Sequence, residues 1–169
     1  MIFKFLTKKN YINLLIIFFI FCLDRISKKY VIYLNEQNLS QELFVSKYLN
    51  INLIWNEGIA FGLLSFEQSS FYNFLTIFIA FIIFIIVYMV IKTDGLKRYS
   101  LLIIIGGALG NLYDRAIFFA VPDFIDFHVG NFHWFTFNVA DIFISLGVFF
   151  MILIEFIDNN KNKLNEKKN

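Results

Sequence analysis

Long apolar runs alternate with short polar stretches and divide the chain into four segments that could cross a membrane. A membrane-spanning helix takes about 20 residues at a rise of about 1.5 Å per residue. The four runs cover approximately residues 11–34, 71–91, 99–120 and 138–157. The pattern predicts an α-helical membrane protein, with a bundle of four transmembrane helices in a single domain over residues 1–169.

Composition supports the membrane assignment. The chain has 169 residues, of which 59% are hydrophobic and 20% aromatic, and its mean hydropathy is +0.67. A soluble domain does not need so much apolar sequence to fill one core. The net charge of +2 gives no sign of a nucleic-acid partner, and a single cysteine, Cys22, excludes an internal disulfide and a cysteine-based metal cluster.

Lysine and arginine are distributed unevenly between the connections. The connections at 35–70 and 121–137 contain one lysine between them, Lys47, whereas the other three polar stretches are basic. The positive-inside rule then predicts that both termini are cytoplasmic and that these two loops face outward. The basic residues are Lys4, Lys8 and Lys9 before the first span, Lys92, Lys97 and Arg98 between the second and third, and Lys161, Lys163, Lys167 and Lys168 after the fourth.

The two outward loops carry different signals. The segment FVSKYLNINLIWN in the first loop is rich in β-branched and aromatic residues and predicts a small sheet on the outer membrane surface. It leads into NEGIAFG at 56–62, in which Asn56 supplies an amide that donates and accepts, and Gly58 is the first of two glycines. The second loop contains Pro122, the only proline, which is expected to end the third helix.

Several ionisable residues fall inside or beside the apolar runs, where they are costly and usually mark function. Asp24 and Lys28 are four residues apart in the first span and share one helix face. This spacing fits a structural ion pair or a role in substrate binding. In the third span we expect Asn111, Asp114 and Arg115 to hold the neighbouring loop.

Two aspartates are predicted to meet at the outer end of the bundle. Asp123 lies just beyond the third helix, and Asp141 lies about one turn into the fourth span. Two carboxyl groups held close together share one proton and titrate as a pair. One can act as the general base on water while the other, protonated, polarises a peptide carbonyl and protonates the leaving amine. The residues therefore predict a membrane aspartic peptidase that needs no metal and no cofactor.

Two other readings of the polar residues remain open. His128 and His133 are five residues apart in the predicted second loop, and a metal site could be drawn from them with Asp123 or Asp126, although interfacial histidines without a metal are commoner. A transport protein could instead line an ion path with buried aspartates. The sequence shows no repeated halves, which transporters often have.

Five short motifs, in order along the chain, resemble those of the bacterial lipoprotein signal peptidase family, signal peptidase II. Each would be weak alone, but the ordered set together with four spans is specific. The motifs are DRISK at 24–28, NEGIAFG at 56–62, GGALGNLYDR at 106–115, VPDF at 121–124 and FNVAD at 137–141.

The resemblance implies an aspartic endopeptidase of the bacterial cytoplasmic (inner) membrane, with four helices and a small extracytoplasmic β-cradle. It implies cleavage of the signal peptide from diacylglyceryl-modified prolipoproteins, immediately before the lipidated cysteine. Membrane lipid and the inhibitor globomycin are further expected partners. We expect the chain to act as a monomer, without a metal or other cofactor.

The resemblance also implies site residues. The catalytic aspartates fall on Asp123 and Asp141. Pro122 stands where the family pattern has a small aliphatic residue, and Asp126 is a nearby spare carboxyl group, but the match favours Asp123. The predicted supporting or substrate-binding residues are Asp24, Lys28, Asn56, Gly58, Asn111, Asp114, Arg115 and Asn138.

Overall fold

Four long helices form the body of the protein. The computed structural model describes residues 8–37, 43–58 and 69–166. Within them, four helices are long and apolar enough to cross a membrane, which confirms the predicted fold class. They are α1 (Lys8–Gln37), α2 (Ser69–Lys92), α3 (Gly95–Phe118) and α4 (Val139–Glu166).

Helices α1 and α2 run past their predicted spans at both ends, and α4 runs past its span at the C-terminal end, because the end of an apolar run does not by itself end a helix. Helix α3 begins before its predicted span but ends at Phe118, two residues short of it. The longest extension is that of α4, which continues to Glu166. A few predicted features lie outside the described residues. They are Lys4, Lys167, Lys168 and residues 59–62 of the NEGIAFG motif.

Helix α3 is the centre of the bundle and packs against the other three helices. Glycines in α3 allow this close packing, as small residues do in membrane bundles. A Cβ atom on Gly107 would lie 2.5 Å from the backbone oxygen of Ala140 in α4, and one on Gly110 would lie 2.5 Å from Asp24 Oδ2 in α1. The close approach at these two glycines is thus made to two different helices.

A four-stranded antiparallel sheet lies where α3 ends and α4 begins, and we call this end of the bundle the sheet end. The strand order is β1-β2-β3-β4. The predicted sheet in the first loop is present as β1 and β2. The strands are β1 (Phe44–Val45), β2 (Leu49–Asn56), β3 (Val121–Val129) and β4 (Phe132–Phe137).

The segment 121–137 is a β-hairpin and not the loop that was predicted, and its two strands complete the sheet. The turn is formed by Gly130 and Asn131, with Gly130 at a φ of 60°. A Gly-Asn pair between two runs of β-branched and aromatic residues is a hairpin signal. His128 and His133 consequently lie opposite each other on neighbouring strands.

Candidate active site

Asp141 lies in the first turn of α4 and takes part in the cap of that helix. The Asn138 side-chain Oδ1 accepts a hydrogen bond from the Asp141 backbone N–H at 3.1 Å. Asp141 Oδ2 accepts one in return from the Asn138 backbone N–H at 3.2 Å. This reciprocal arrangement three residues apart is a capping box. The side chain of Asp141 is therefore held at the positive end of the helix dipole.

Asp123 lies near the start of β3, and only 4% of it is exposed. Its Oδ1 accepts a hydrogen bond from Asn138 Nδ2 at 2.6 Å, and its Oδ2 accepts one from Asn56 Nδ2 at 2.9 Å. Asn56 is the last residue of β2, and the pairing of β2 with β3 brings it beside Asp123.

Asn138 therefore joins the two carboxyl groups, since it contacts Asp123 through its amide and Asp141 through its backbone N–H. Burial raises the pKa of Asp123 to about 6, and the negative charge of Asp141 acts in the same direction. The hydrogen bonds from Asn56 and Asn138 lower the pKa and offset part of this rise. We call Asp123 and Asp141 the aspartate pair.

A second group of charges, which we call the buried charge cluster, links α1 to α3. It contains Asp24, Arg25, Lys28 and Asp114, and both carboxyl groups are fully buried. Lys28 Nζ lies 2.7 Å from Asp114 Oδ2 and 3.0 Å from Asp24 Oδ2. The guanidinium of Arg25 also contacts both carboxylates, at 2.8 Å from Asp24 and 2.6 Å from Asp114. Two cations thus balance two anions.

Two contacts connect the buried charge cluster to the aspartate pair. The Asn111 amide accepts from Lys28 Nζ at 2.7 Å and donates to Asp141 Oδ1 at 2.8 Å. Asp24 Oδ1 accepts from the backbone N–H of Ala140, in the first turn of α4, at 3.0 Å. The cluster therefore fixes both the start of α4 and the orientation of the Asp141 side chain.

Arg115 points away from the cluster, toward the end of β2. Its Nη2 donates to the Gly58 carbonyl at 2.7 Å, and the Gly58 N–H donates to Asn56 Oδ1 at 2.8 Å. The turn at Gly58 is thus held from both sides. Among the described residues, Arg115 Nε and Nη1 have no hydrogen-bond partner although they are buried.

An apolar cavity of about 590 Å³ opens beside the aspartate pair. Its polar lining residues are Asn111, Arg115, Asp141 and Ser145, and the rest of its lining is apolar side chains of α2, α3 and α4. Such a cavity can accept an apolar chain and place it beside the carboxyl group of Asp141.

The structure brings all ten predicted site residues to the sheet end. Asp126, the spare carboxyl group noted in the sequence, has a different partner: it contacts His133 at 2.7 Å. Sequence reasoning missed Arg25. A signal was available, since an arginine at membrane depth requires a carboxylate partner.

Comparisons with known proteins point to one family. A family model described as Signal peptidase (SPase) II matches residues 16–157. The chain is 52% identical over 160 residues to the lipoprotein signal peptidase of Pelagibacter ubique (strain HTCC1062), with 95% of this chain and 96% of that protein covered. It is 40% identical over 149 residues to the lipoprotein signal peptidase of Anaplasma phagocytophilum (strain HZ), with 88% and 94% covered.

A solved structure is similar as well. It is that of a bacterial membrane enzyme determined by the in meso method at 2.3 Å resolution, with a TM-score of 0.69 and 30% sequence identity. The similarity covers 89% of this chain and 90% of the solved one.

Proposed function

The chain belongs to the signal peptidase II family, and on this premise we propose that it removes signal peptides from prolipoproteins as an aspartic endopeptidase, with Asp123 and Asp141 as the catalytic pair. One observation carries the catalytic assignment. Asn138 contacts both carboxyl groups, so they lie within two hydrogen bonds of each other. Two acids placed so closely can divide the roles of general acid and general base.

The surroundings of the two carboxyl groups suggest which role each takes. Asp141 accepts hydrogen bonds from Asn111 and from the Asn138 backbone N–H at a helix N-terminus, which stabilise a negative charge. Burial raises the pKa of Asp123 to about 6, which favours its protonated form. We therefore assign the base to Asp141 and the acid to Asp123.

In the proposed reaction, Asp141 removes a proton from a water molecule, and the water oxygen attacks the scissile carbonyl carbon. Asp123 donates a hydrogen bond to the carbonyl oxygen and then gives its proton to the leaving nitrogen as the C–N bond breaks. Asp141 then holds the proton taken from water, and transfer of a proton back to Asp123 restores the starting state. The low-dielectric surroundings strengthen both electrostatic contacts.

The apolar cavity supplies a place for the substrate. We propose that it receives the apolar part of a diacylglyceryl-modified prolipoprotein, with the peptide bond before the lipidated cysteine next to Asp141. Support comes from the composition of the cavity, whose lining is apolar except for Asn111, Arg115, Asp141 and Ser145. We propose that membrane lipid occupies this cavity when no substrate is present.

Charge distribution suggests how the protein is oriented. Basic residues flank the connection between α2 and α3, with Lys92 at the end of α2 and Lys97 and Arg98 in the first turn of α3, whereas the strands and turns of the sheet carry only Lys47. We propose a multi-pass protein of the bacterial inner membrane, with both termini cytoplasmic and the sheet end extracytoplasmic. We further propose that it acts as a monomer and that globomycin inhibits it by competing for the cavity.

The catalytic assignment can be tested with three asparagine variants of the purified enzyme. Asp123→Asn and Asp141→Asn should each lower the rate of lipidated prolipoprotein cleavage by about 10²- to 10⁴-fold, the usual loss when a general acid or base is removed. Asp158→Asn is the matched control, because this aspartate lies in a surface ion pair with Lys97 in the part of α4 far from the sheet end. EDTA should leave the wild-type rate unchanged. Cleavage near the wild-type rate in either site variant would refute the assignment.

A further inference from the structure

The β3–β4 hairpin carries a second group of polar side chains, which the proposed cleavage does not use. Asp126, His128 and His133 each offer a ligand atom, and these three atoms lie within 4.8 Å of one another. His128 and His133 are directly opposite across the two strands. Their rings stack with centroids 5.0 Å apart. We call these three residues the hairpin triad.

The hairpin triad holds polar atoms that the described residues leave unsatisfied. Asp126 Oδ1 and His128 Nδ1 are buried and have no hydrogen-bond partner among those residues. The other oxygen of Asp126 contacts His133 Nδ1 at 2.7 Å. A buried polar atom without a partner costs free energy, so a ligand that satisfies both atoms at once is favoured.

The chemistry of the triad fits a metal ion. Two imidazole nitrogens and one carboxylate oxygen form a ligand set that Zn²⁺ accepts, and such three-ligand sites keep a fourth position for water. Ligand atoms about 2.1 Å from a tetrahedral ion are roughly 3.4 Å apart. The largest ligand-atom spacing, within 4.8 Å, therefore has to close by up to about 1.4 Å for ligand atoms about 3.4 Å apart, which calls for rotation of the side chains. His133 is half-exposed and gives an ion a route from solvent.

Strand alternation separates this group from the aspartate pair. Asp123 and Asp126 are three residues apart in β3, so their side chains lie on opposite faces of the sheet. An ion at the triad would nevertheless tie together the two strands that connect Asp123 to Asn138. We propose that Asp126, His128 and His133 bind one divalent transition-metal ion, with Zn²⁺ as the best match, and that this ion clamps the hairpin.

The sequence alone favoured histidines without a metal, because interfacial histidines that bind no metal are commoner. The hairpin changes that preference, since it brings both rings and one carboxylate to a single point. The proposal is independent of the cleavage chemistry. Binding of Zn²⁺ can therefore be measured whether or not the assignment of Asp123 and Asp141 is right.

The test is calorimetric titration of ZnCl₂ into the full chain in detergent, purified with a tag that contains no histidine and freed of metal with EDTA. The chain has only two histidines, so every imidazole ligand is in the triad. We expect one Zn²⁺ per chain. His128→Ala and His133→Ala should each weaken binding at least about tenfold, and Asp126→Asn should weaken it as well.

Two control variants sharpen the result. Cys22→Ser removes the only thiol, and Asp158→Asn removes a surface carboxylate; both should bind Zn²⁺ as the wild type does. Zn²⁺ should also raise the melting temperature of the wild type and not that of His133→Ala. Failure of the wild type to bind Zn²⁺ overturns the proposal, and so does equal affinity in the wild type and both histidine variants. The wild-type titration decides the question even where an alanine variant does not fold.

Discussion

The buried charge cluster and the aspartate pair lie side by side at the sheet end, but their charges are stabilised in different ways. In the cluster, Asp24 and Asp114 each contact both Arg25 and Lys28. In the aspartate pair, the carboxyl groups accept hydrogen bonds from side-chain amides and a backbone N–H, and among the described residues no lysine or arginine forms a salt bridge with them.

This difference explains why two neighbouring groups of acids can have different tasks. A carboxylate that contacts two cations is held in one position, so it serves to position helices. A carboxyl group held only by neutral donors can change its protonation state at little cost, which a general acid or base must do. Asn111 lies on the boundary, since it contacts Lys28 on one side and Asp141 on the other.

The largest effect on stability is expected when the balance of the buried charge cluster is broken. Asp114→Asn leaves the buried Lys28 and the partly buried Arg25 with Asp24 as the only carboxylate partner they have among the described residues. Breaking a buried ion pair from one side costs about 3–5 kcal/mol, and we expect the free energy of unfolding to fall by about that amount. Denaturation of the purified protein in mixed micelles measures it.

Asp158→Asn is again the matched control, because exposed ion pairs contribute only about 0–1 kcal/mol. A loss below about 1 kcal/mol in Asp114→Asn would mean that the cluster is not what holds α1 to α3.

A substitution in the aspartate pair should have the opposite effect and raise the free energy of unfolding, by an amount that depends on pH. Burial raises the pKa of Asp123 from 3.8 to about 6 on folding. The stability associated with its neutral form is therefore complete below pH 3.8 and is lost as the pH rises through about 6. Asn cannot ionise, so Asp123→Asn should gain stability relative to the wild type between pH 4 and pH 7.

The expected gain is at most about 3 kcal/mol, because the pKa changes by about two units and each unit corresponds to about 1.4 kcal/mol. Thermal melts of both proteins over this pH range measure it. A difference in melting temperature that does not change with pH would contradict the raised pKa of Asp123.

The comparison also shows what the sequence could and could not reveal. The ion pair of Asp24 with Lys28 follows from their spacing of four on one helix. The contact of Arg25 with Asp114 spans 89 residues and depends on the close approach of α1 to α3 at Gly110. Helix periodicity carries no information on which two helices meet, so this half of the cluster could not be derived.

Local signals for the aspartate pair were present but incomplete. Asn138 and Asp141 have the spacing of a capping box, which predicts the start of α4 and the exchange of hydrogen bonds between them. The position of Asp123 depends on a hairpin whose turn, Gly130 and Asn131, was also readable. The contact of Asn138 with Asp123 could not be predicted from the sequence, because it depends on how the sheet and α4 are placed relative to each other.

Asn111→Ala tests the connection between the two regions. The substitution removes the hydrogen bond to Asp141 Oδ1 and the acceptor of Lys28 Nζ. Since misplacing a catalytic group by about 1 Å can cost about 10²-fold, we expect kcat to fall by about 10- to 100-fold, with a smaller change in KM. Steady-state kinetics of prolipoprotein cleavage measure both.

Asn73→Ala is a matched control, because Asn73 is exposed on α2. Wild-type kcat in Asn111→Ala would show that the cluster and the aspartate pair work independently.

The smallest effect is expected from Asn56, which contacts the aspartate pair and not the cluster. Its hydrogen bond to Asp123 lowers the pKa of that carboxyl group, so Asn56→Ala should raise the pKa. Since Asp123 acts as the acid in our proposal, the enzyme should stay active to higher pH, and the alkaline limb of kcat/KM should shift upward. A neutral hydrogen bond of about 1 kcal/mol corresponds to a shift of less than about one pH unit.

The pH profile of Asn56→Ala, compared with that of Asn131→Ala at the exposed hairpin turn, separates the two possible roles of Asp123. If Asp123 is the acid, the limb moves upward in Asn56→Ala alone, whatever happens to the maximal rate. If Asp123 is instead the base, raising its pKa moves the acidic limb upward and leaves the alkaline limb in place. The same variant thus decides which of the two carboxyl groups carries the proton when the substrate arrives.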